Sequence, residues 1–157
     1  MNTTTLKPTP SYPNGKTSPS ARSKRRRKSP HTILVIEHDD RVRKTLCNWV
    51  RETGFEAVGE KNGRSALSRM LLREHTVSSI DGVLMDMNLG LCESELVLSK
   101  LRDIHPPIPV VMIGPERQAS HEEAVRMGAL GYLRSPFNRD VFKNKCSAFF
   151  RDPDEPD

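Results

Sequence analysis

The sequence predicts one α/β domain, a parallel sheet covered by helices on both faces. Short unbroken apolar runs (Thr32–Ile36, Val83–Met85, Pro109–Ile113) read as strands buried on both sides. Each run is followed by a stretch with helical apolar spacing, and the strand–helix alternation repeats five times. Right-handed crossovers then bring the carboxyl ends of all five strands to one edge.

Taken in order, Thr32–Ile36 is mostly β-branched and apolar, hence a buried first strand. The first helix starts near Asp40, with Val42, Leu46, Trp49 and Val50 as its apolar stripe, Asp39 or Asp40 as cap and Gly54 as stop. Residues 55–58 make a second strand, Asn62-Gly63 a turn, and Ala66, Leu67, Met70 and Leu71 mark a second helix. The third strand ends on Asp86. The third helix spans about 93–104, with Leu96, Val97 and Leu101 inward, and His105-Pro-Pro107 stops it. Pro109–Ile113 forms a fourth strand ending at Gly114-Pro115. A helix with Ala119, Ala124 and Met127 inward follows, closed by Gly128. Residues 130–133 are the fifth strand, broken by Ser135-Pro136, and a last helix turns Val141, Phe142, Cys146 and Phe149 to the core.

Charge divides the chain into three parts. Residues 1–30 hold eight Lys and Arg, five prolines and no acid, and read as a disordered basic tail. Subtracting those eight from the 25 Lys and Arg leaves 17 against 20 acidic residues, so the domain over 31–150 is mildly acidic and gives no reason to expect nucleic acid on its own surface. Residues 151–157 are a short acidic end. Cys47, Cys92 and Cys146 are odd in number and form no C-x-x-C pair, which fits free thiols in a reducing compartment. No apolar run approaches the ~18 residues of a membrane span, and the start lacks the apolar core of a signal peptide. The expectation is a soluble, cytoplasmic protein with no membrane partner.

The predicted edge gathers Glu37, His38, Asp39, Asp86, Gly114 and Ser135. A carboxylate there is a nucleophile, a metal ligand or a polar loop-opener. Neighbouring carboxylates repel, and a hard divalent cation such as Mg²⁺ relieves them; a carboxylate beside the ion can take a phosphoryl group as an aspartyl phosphate. Taken one at a time, Glu37, Asp39 and Asp40 are better accounted for by helix capping and dipole pairing than by metal ligation; together with Asp86 at one edge the two readings stand even.

Four segments, in order, carry a family resemblance: Ile33-Leu-Val-Ile-Glu-His-Asp-Asp40, Asp81-Gly-Val-Leu-Met-Asp86-Met-Asn88, Pro109-Val-Val-Met-Ile113 and Gly128-Ala-Leu-Gly-Tyr-Leu-Arg-Ser-Pro-Phe137. Residues 31–149 resemble the receiver domain of two-component response regulators, in an atypical, pseudo-receiver form. The resemblance implies a flavodoxin-like, doubly wound five-stranded sheet of order 2-1-3-4-5, for which a chemotaxis receiver is a standard example. It also implies Asp86 as phosphoacceptor from a histidine kinase, Glu37 as a Mg²⁺-holding acid, the Asn88 carbonyl as a further ligand, Tyr132 as an aromatic switch residue and a cis Ser135–Pro136 bond.

The departures are specific. His38 stands where the family's second metal acid is expected, with Asp39 a weak substitute, so Mg²⁺ binding is expected to be weakened or lost. Gly114 replaces a Ser or Thr hydroxyl. Ser135 replaces the near-invariant Lys, giving up a charged contact to a phosphoryl group. The expectation is a stand-alone, non-enzymatic receiver-like protein in a phosphorelay, phosphorylated weakly or not at all and acting through protein contacts. A reading of a different class makes residues 22–28 bind nucleic acid or another polyanion, with the domain as a homodimerisation module; set against it is a solvated leader. A phosphoryl-transfer enzyme is disfavoured because no Gly-x-x-x-x-Gly-Lys-Ser/Thr loop is present.

Overall fold

A computed structural model of the chain describes residues 31–73, 80–89, 91–104 and 108–151. The expected basic tail and the end beyond Arg151 lie outside the described residues, as do the Cys92 and Ala119 side chains. Strands β1 (Thr32–Ile36), β2 (Glu56–Glu60), β3 (Gly82–Asp86), β4 (Val110–Pro115) and β5 (Gly131–Ser135) alternate with helices α1 (Asp40–Glu52), α2 (Gly63–Arg73), α3 (Leu91–Ile104), α4 (Gln118–Arg126) and α5 (Arg139–Phe150). All strand pairs are parallel and the order is β2-β1-β3-β4-β5, as expected.

Alternation along the strands builds two cores. Leu34, Ile36, Val83, Met85, Val110, Met112 and Tyr132 pack with Ala66, Met70, Val97, Leu98, Leu101 and Ala124 of α2, α3 and α4. Ile33, Val35, Leu84, Val111, Ile113 and Leu133 pack on the other face with Leu46, Cys47, Val50, Phe142, Cys146 and Phe150 of α1 and α5. Cys47 and Cys146 are free, buried thiols; burial pushes Cys146 up to about 11, which leaves it protonated and inert.

The strands differ from expectation at their ends. β2 begins one residue later and runs to Glu60, while β4 and β5 extend through Pro115 and Ser135, pairing Gly114 with Arg134 and Pro115 with Ser135. Gly114 is therefore the penultimate residue of β4 and Ser135 the last of β5, instead of following their strands. Four apolar residues expected inside are outside: Val42 is 44 % exposed, Leu71 53 %, Leu96 54 % and Val141 43 %. In α2, α3 and α5 the cause is adjacency. Leu71, Leu96 and Val141 each neighbour a fully buried residue (Met70, Val97, Phe142), and successive helical residues point about 100° apart, so with Met70, Val97 and Phe142 turned to the sheet these three fall on the solvent side of the buried stripe. Val42 lies in the first turn of α1, ahead of the buried Leu46, Cys47 and Val50.

Helix ends are set locally. The Asp39 carboxylate accepts from the Arg41 and Val42 amides, and the Asn138 side chain accepts from the Val141 amide. Gly54 and Gly128, after α1 and α4, adopt φ of 93° and 90°, where a side chain would be strained. At the start of α2 Asn62 accepts from the Ser65 amide at 2.8 Å, and a second acceptor comes from another helix: Glu93 of α3 accepts from the Gly63 amide at 2.7 Å.

Phe142 anchors the α1–α5 core. It is fully buried, with ring centroids 5.5 Å from Trp49 and 5.7 Å from Phe137. Phe142→Ala is expected to cost about 3–5 kcal/mol, read in urea as a lower midpoint at unchanged slope.

Candidate functional site

β1 and β3 are adjacent, and each delivers one acid to the carboxyl edge of the sheet. Asp86 is the last residue of β3 and Glu37 follows β1, with the Glu37 amide bonded to the Glu60 carbonyl at 3.0 Å. Both are buried, 7 % and 5 % exposed. Backbone amides orient them: Asp39 N–H donates to Glu37 Oε1 and Asn88 N–H to Asp86 Oδ1, both at 2.9 Å. The second donor comes from a 3-10 turn, Met87–Leu89.

His38 closes the site. Its Nδ1 lies 3.1 Å from Glu37 Oε1 and 3.4 Å from Asp86 Oδ2. Among the described residues neither carboxylate has a Lys or Arg within 4.0 Å. Arg43 instead pairs with Asp40 and donates to the Glu37 backbone carbonyl. Burial, with the Asp86 charge adding to it, raises the Glu37 carboxyl above the usual range; the Asp39 amide and His38 oppose the shift.

The sequence-predicted residues separate into groups. Glu37, His38 and Asp86 place one ligand atom each within 4.8 Å of one another. Asp39 does not join them, because its carboxylate is committed to the α1 cap; the Val42 and Arg41 amides hold it below the usual carboxylate range. Asn88 is exposed and touches the site through its backbone. Gly114 and Tyr132 meet on the α4 side of the sheet. The Tyr132 hydroxyl donates to the Pro115 carbonyl at 2.7 Å and fills the space where a Cβ on Gly114 would lie. Ser135 is exposed, the bond to Pro136 is cis, and alternation puts Arg134 on the Tyr132 side, away from Ser135.

Two contacts of this region were not anticipated. The His121 ring lies 5.6 Å from Tyr132, and a Ser120 hydrogen bond opposes the burial that raises the Tyr132 phenol. Their place just beyond β4, at the same edge, was the available signal.

Residues 33–147 match the model of the response regulator receiver domain, and the chain belongs to that family. It is 31 % identical over 111 residues to the regulatory protein AtoC of Escherichia coli, spanning 69 % of this chain and 23 % of that protein. The chain therefore corresponds to less than a quarter of AtoC's length. The chemotaxis protein CheY4 of Vibrio cholerae has the same fold, with a TM-score of 0.66 at 19 % identity, covering 76 % of this chain and 98 % of that one. The receiver domain of the sensor histidine kinase PA1611 of Pseudomonas aeruginosa superposes with a TM-score of 0.64 at 18 % identity, covering 78 % of this chain and 99 % of that one, and holds a magnesium ion in its active-site cleft.

Receiver domains commonly bind Mg²⁺ in this cleft, so the residues here can be tested against that ion. Mg²⁺ favours hard oxygen ligands in near-octahedral array. The donor set of Glu37, Asp86 and an imidazole does not match it in full.

Two outcomes follow from these contacts. An acid raised above its ordinary value binds more protons folded than unfolded, so its contribution is fully present below 4.5 and lost as pH rises through the raised value. With chelator present, Glu37→Gln is therefore expected to gain stability over the unsubstituted chain between pH 4 and pH 7; an equal difference at both pH values in urea titrations would refute the assignment. Gly114→Thr is expected to overlap the Tyr132 hydroxyl and cost about 1–3 kcal/mol, and to cost less when introduced into a Tyr132→Ala background than into the unsubstituted chain, read as a double-mutant cycle in the same titration.

Proposed function

We propose that this receiver domain works in phosphorelay signalling through protein contacts, with Asp86 at the phosphoacceptor position and its phosphorylation weak or absent. The observation that carries the reading is what surrounds Asp86. The β4 end presents Gly114, with Tyr132 filling the adjacent space, and the β5 end presents Ser135. A phosphoryl group on Asp86 would thus lack both a β4 hydroxyl and a β5 ammonium. Loss of a charged donor at a developing phosphoryl charge is worth several kcal/mol where comparable donors have been removed, about 3–4 for an oxyanion-hole donor.

A histidine kinase or another signalling protein is the natural partner. The face made by α4, β5 and α5 is the contact surface we assign, on resemblance to the family; it carries exposed Val125, Leu130 and Val141. In this reading the domain is a recognition module and catalyses no turnover. Among the described residues no helix is long and apolar enough to cross a membrane.

Incubation with Mg²⁺ and a small phosphodonor tests the reading by intact-mass measurement. The expected result is no base-labile adduct, or a trace that Asp86→Asn removes, with labelling increased by Ser135→Lys. Stoichiometric labelling of the unsubstituted chain, abolished by Asp86→Asn, would overturn it.

A further inference from the structure

We infer that Glu37, His38 and Asp86 form a site for a divalent transition-metal ion of the Zn²⁺ type, selected over Mg²⁺ by the His38 imidazole. The inference does not depend on whether Asp86 accepts a phosphoryl group.

The ligand geometry supports it. Zn²⁺ binds imidazole nitrogen and carboxylate oxygen at about 2.0–2.2 Å, so two ligand atoms of a tetrahedral ion lie about 3.3 Å apart. His38 Nδ1 is 3.1 Å from Glu37 Oε1 and 3.4 Å from Asp86 Oδ2. One ion within bonding reach of all three atoms therefore needs little movement of the imidazole.

The carboxylates are also held ready. Each is buried and receives one backbone N–H, on Glu37 Oε1 and Asp86 Oδ1, which fixes its orientation and leaves Asp86 Oδ2 turned to the imidazole. The two acids lie together, with no Lys or Arg partner among the described residues, and a bound dication would relieve their repulsion. The His38 side chain is 63 % exposed, so ions can enter from solvent and water can complete the coordination.

Donor chemistry decides which ion. Imidazole suits Zn²⁺, Cu²⁺, Ni²⁺ and Fe²⁺, whereas Mg²⁺ prefers carboxylate, carbonyl and water. Exchanging one acid for histidine leaves the site's position in the fold unchanged and alters its preference.

The test is calorimetric titration of the full chain with Zn²⁺ and with Mg²⁺ in chelator-stripped buffer, alongside His38→Ala, His38→Asp and Asp86→Asn. Circular dichroism checks that each variant folds. The expected result is one Zn²⁺ equivalent, bound more than tenfold more tightly than Mg²⁺. His38→Ala and Asp86→Asn should each weaken Zn²⁺ by about tenfold or more, and His38→Asp should shift the Zn²⁺/Mg²⁺ ratio towards Mg²⁺. Co²⁺ should give a visible absorption band that His38→Ala removes. Zn²⁺ and Mg²⁺ affinities within tenfold of each other would overturn the inference. So would Zn²⁺ binding that His38→Ala leaves unchanged, which would mark an adventitious ion on another histidine or thiol.

Discussion

Two buried carboxylates beside one another are the constraint on which the working edge of this domain depends. Glu37 and Asp86 are driven together because β1 and β3 are neighbours in a parallel sheet whose apolar residues fill both faces. Neither acid can retreat to solvent without pulling its strand end with it. Each has to be satisfied in place, by an amide of the turn that follows it and by the shared imidazole of His38. Burial of the pair is a standing cost, visible in the raised Glu37 carboxyl, and the rest of the site is arranged around offsetting it.

The sheet also separates two kinds of work. Alternation gives Asp86 the parity of Leu84, on the side of α1 and α5, while Gly114 and Tyr132 share the side of α4. The acids bear on ions and charge. The tyrosine bears on packing, tied to the β4 end through Pro115 and lying against His121. Strands β3 and β4 are hydrogen-bonded neighbours, with Asp86 opposite Ile113, so the end of the strand that carries the acid lies beside the end that carries Gly114.

Much of this was legible before any coordinates. Strands such as Ile33–Ile36 and Val83–Met85 announce themselves because a strand buried on both sides has to be apolar at every position. The convergence of Glu37, Asp86, Gly114 and Ser135 follows from topology, since parallel strands share a carboxyl edge. What sequence could not show was decided by side-chain direction. Leu96 and Val97 are equally apolar, and only the helix's rotation on the sheet turns Val97 in and Leu96 out. Asp39 offered itself as a metal acid, yet the free amides of α1 claim it. His38 reads as a lost ligand in sequence, whereas its Nδ1 reaches both acids in space.

The seat of Tyr132 bears on the order in which such a site can change. The ring's hydroxyl occupies volume that exists only because residue 114 has no side chain. A side chain at residue 114 and the present position of the tyrosine therefore exclude one another unless the ring moves. Once the tyrosine has settled there, a return to a hydroxyl-bearing residue passes through an overpacked intermediate. The two positions are thus coupled, and a change at either one is felt first as a displacement of the Tyr132 ring from its seat on the Pro115 carbonyl.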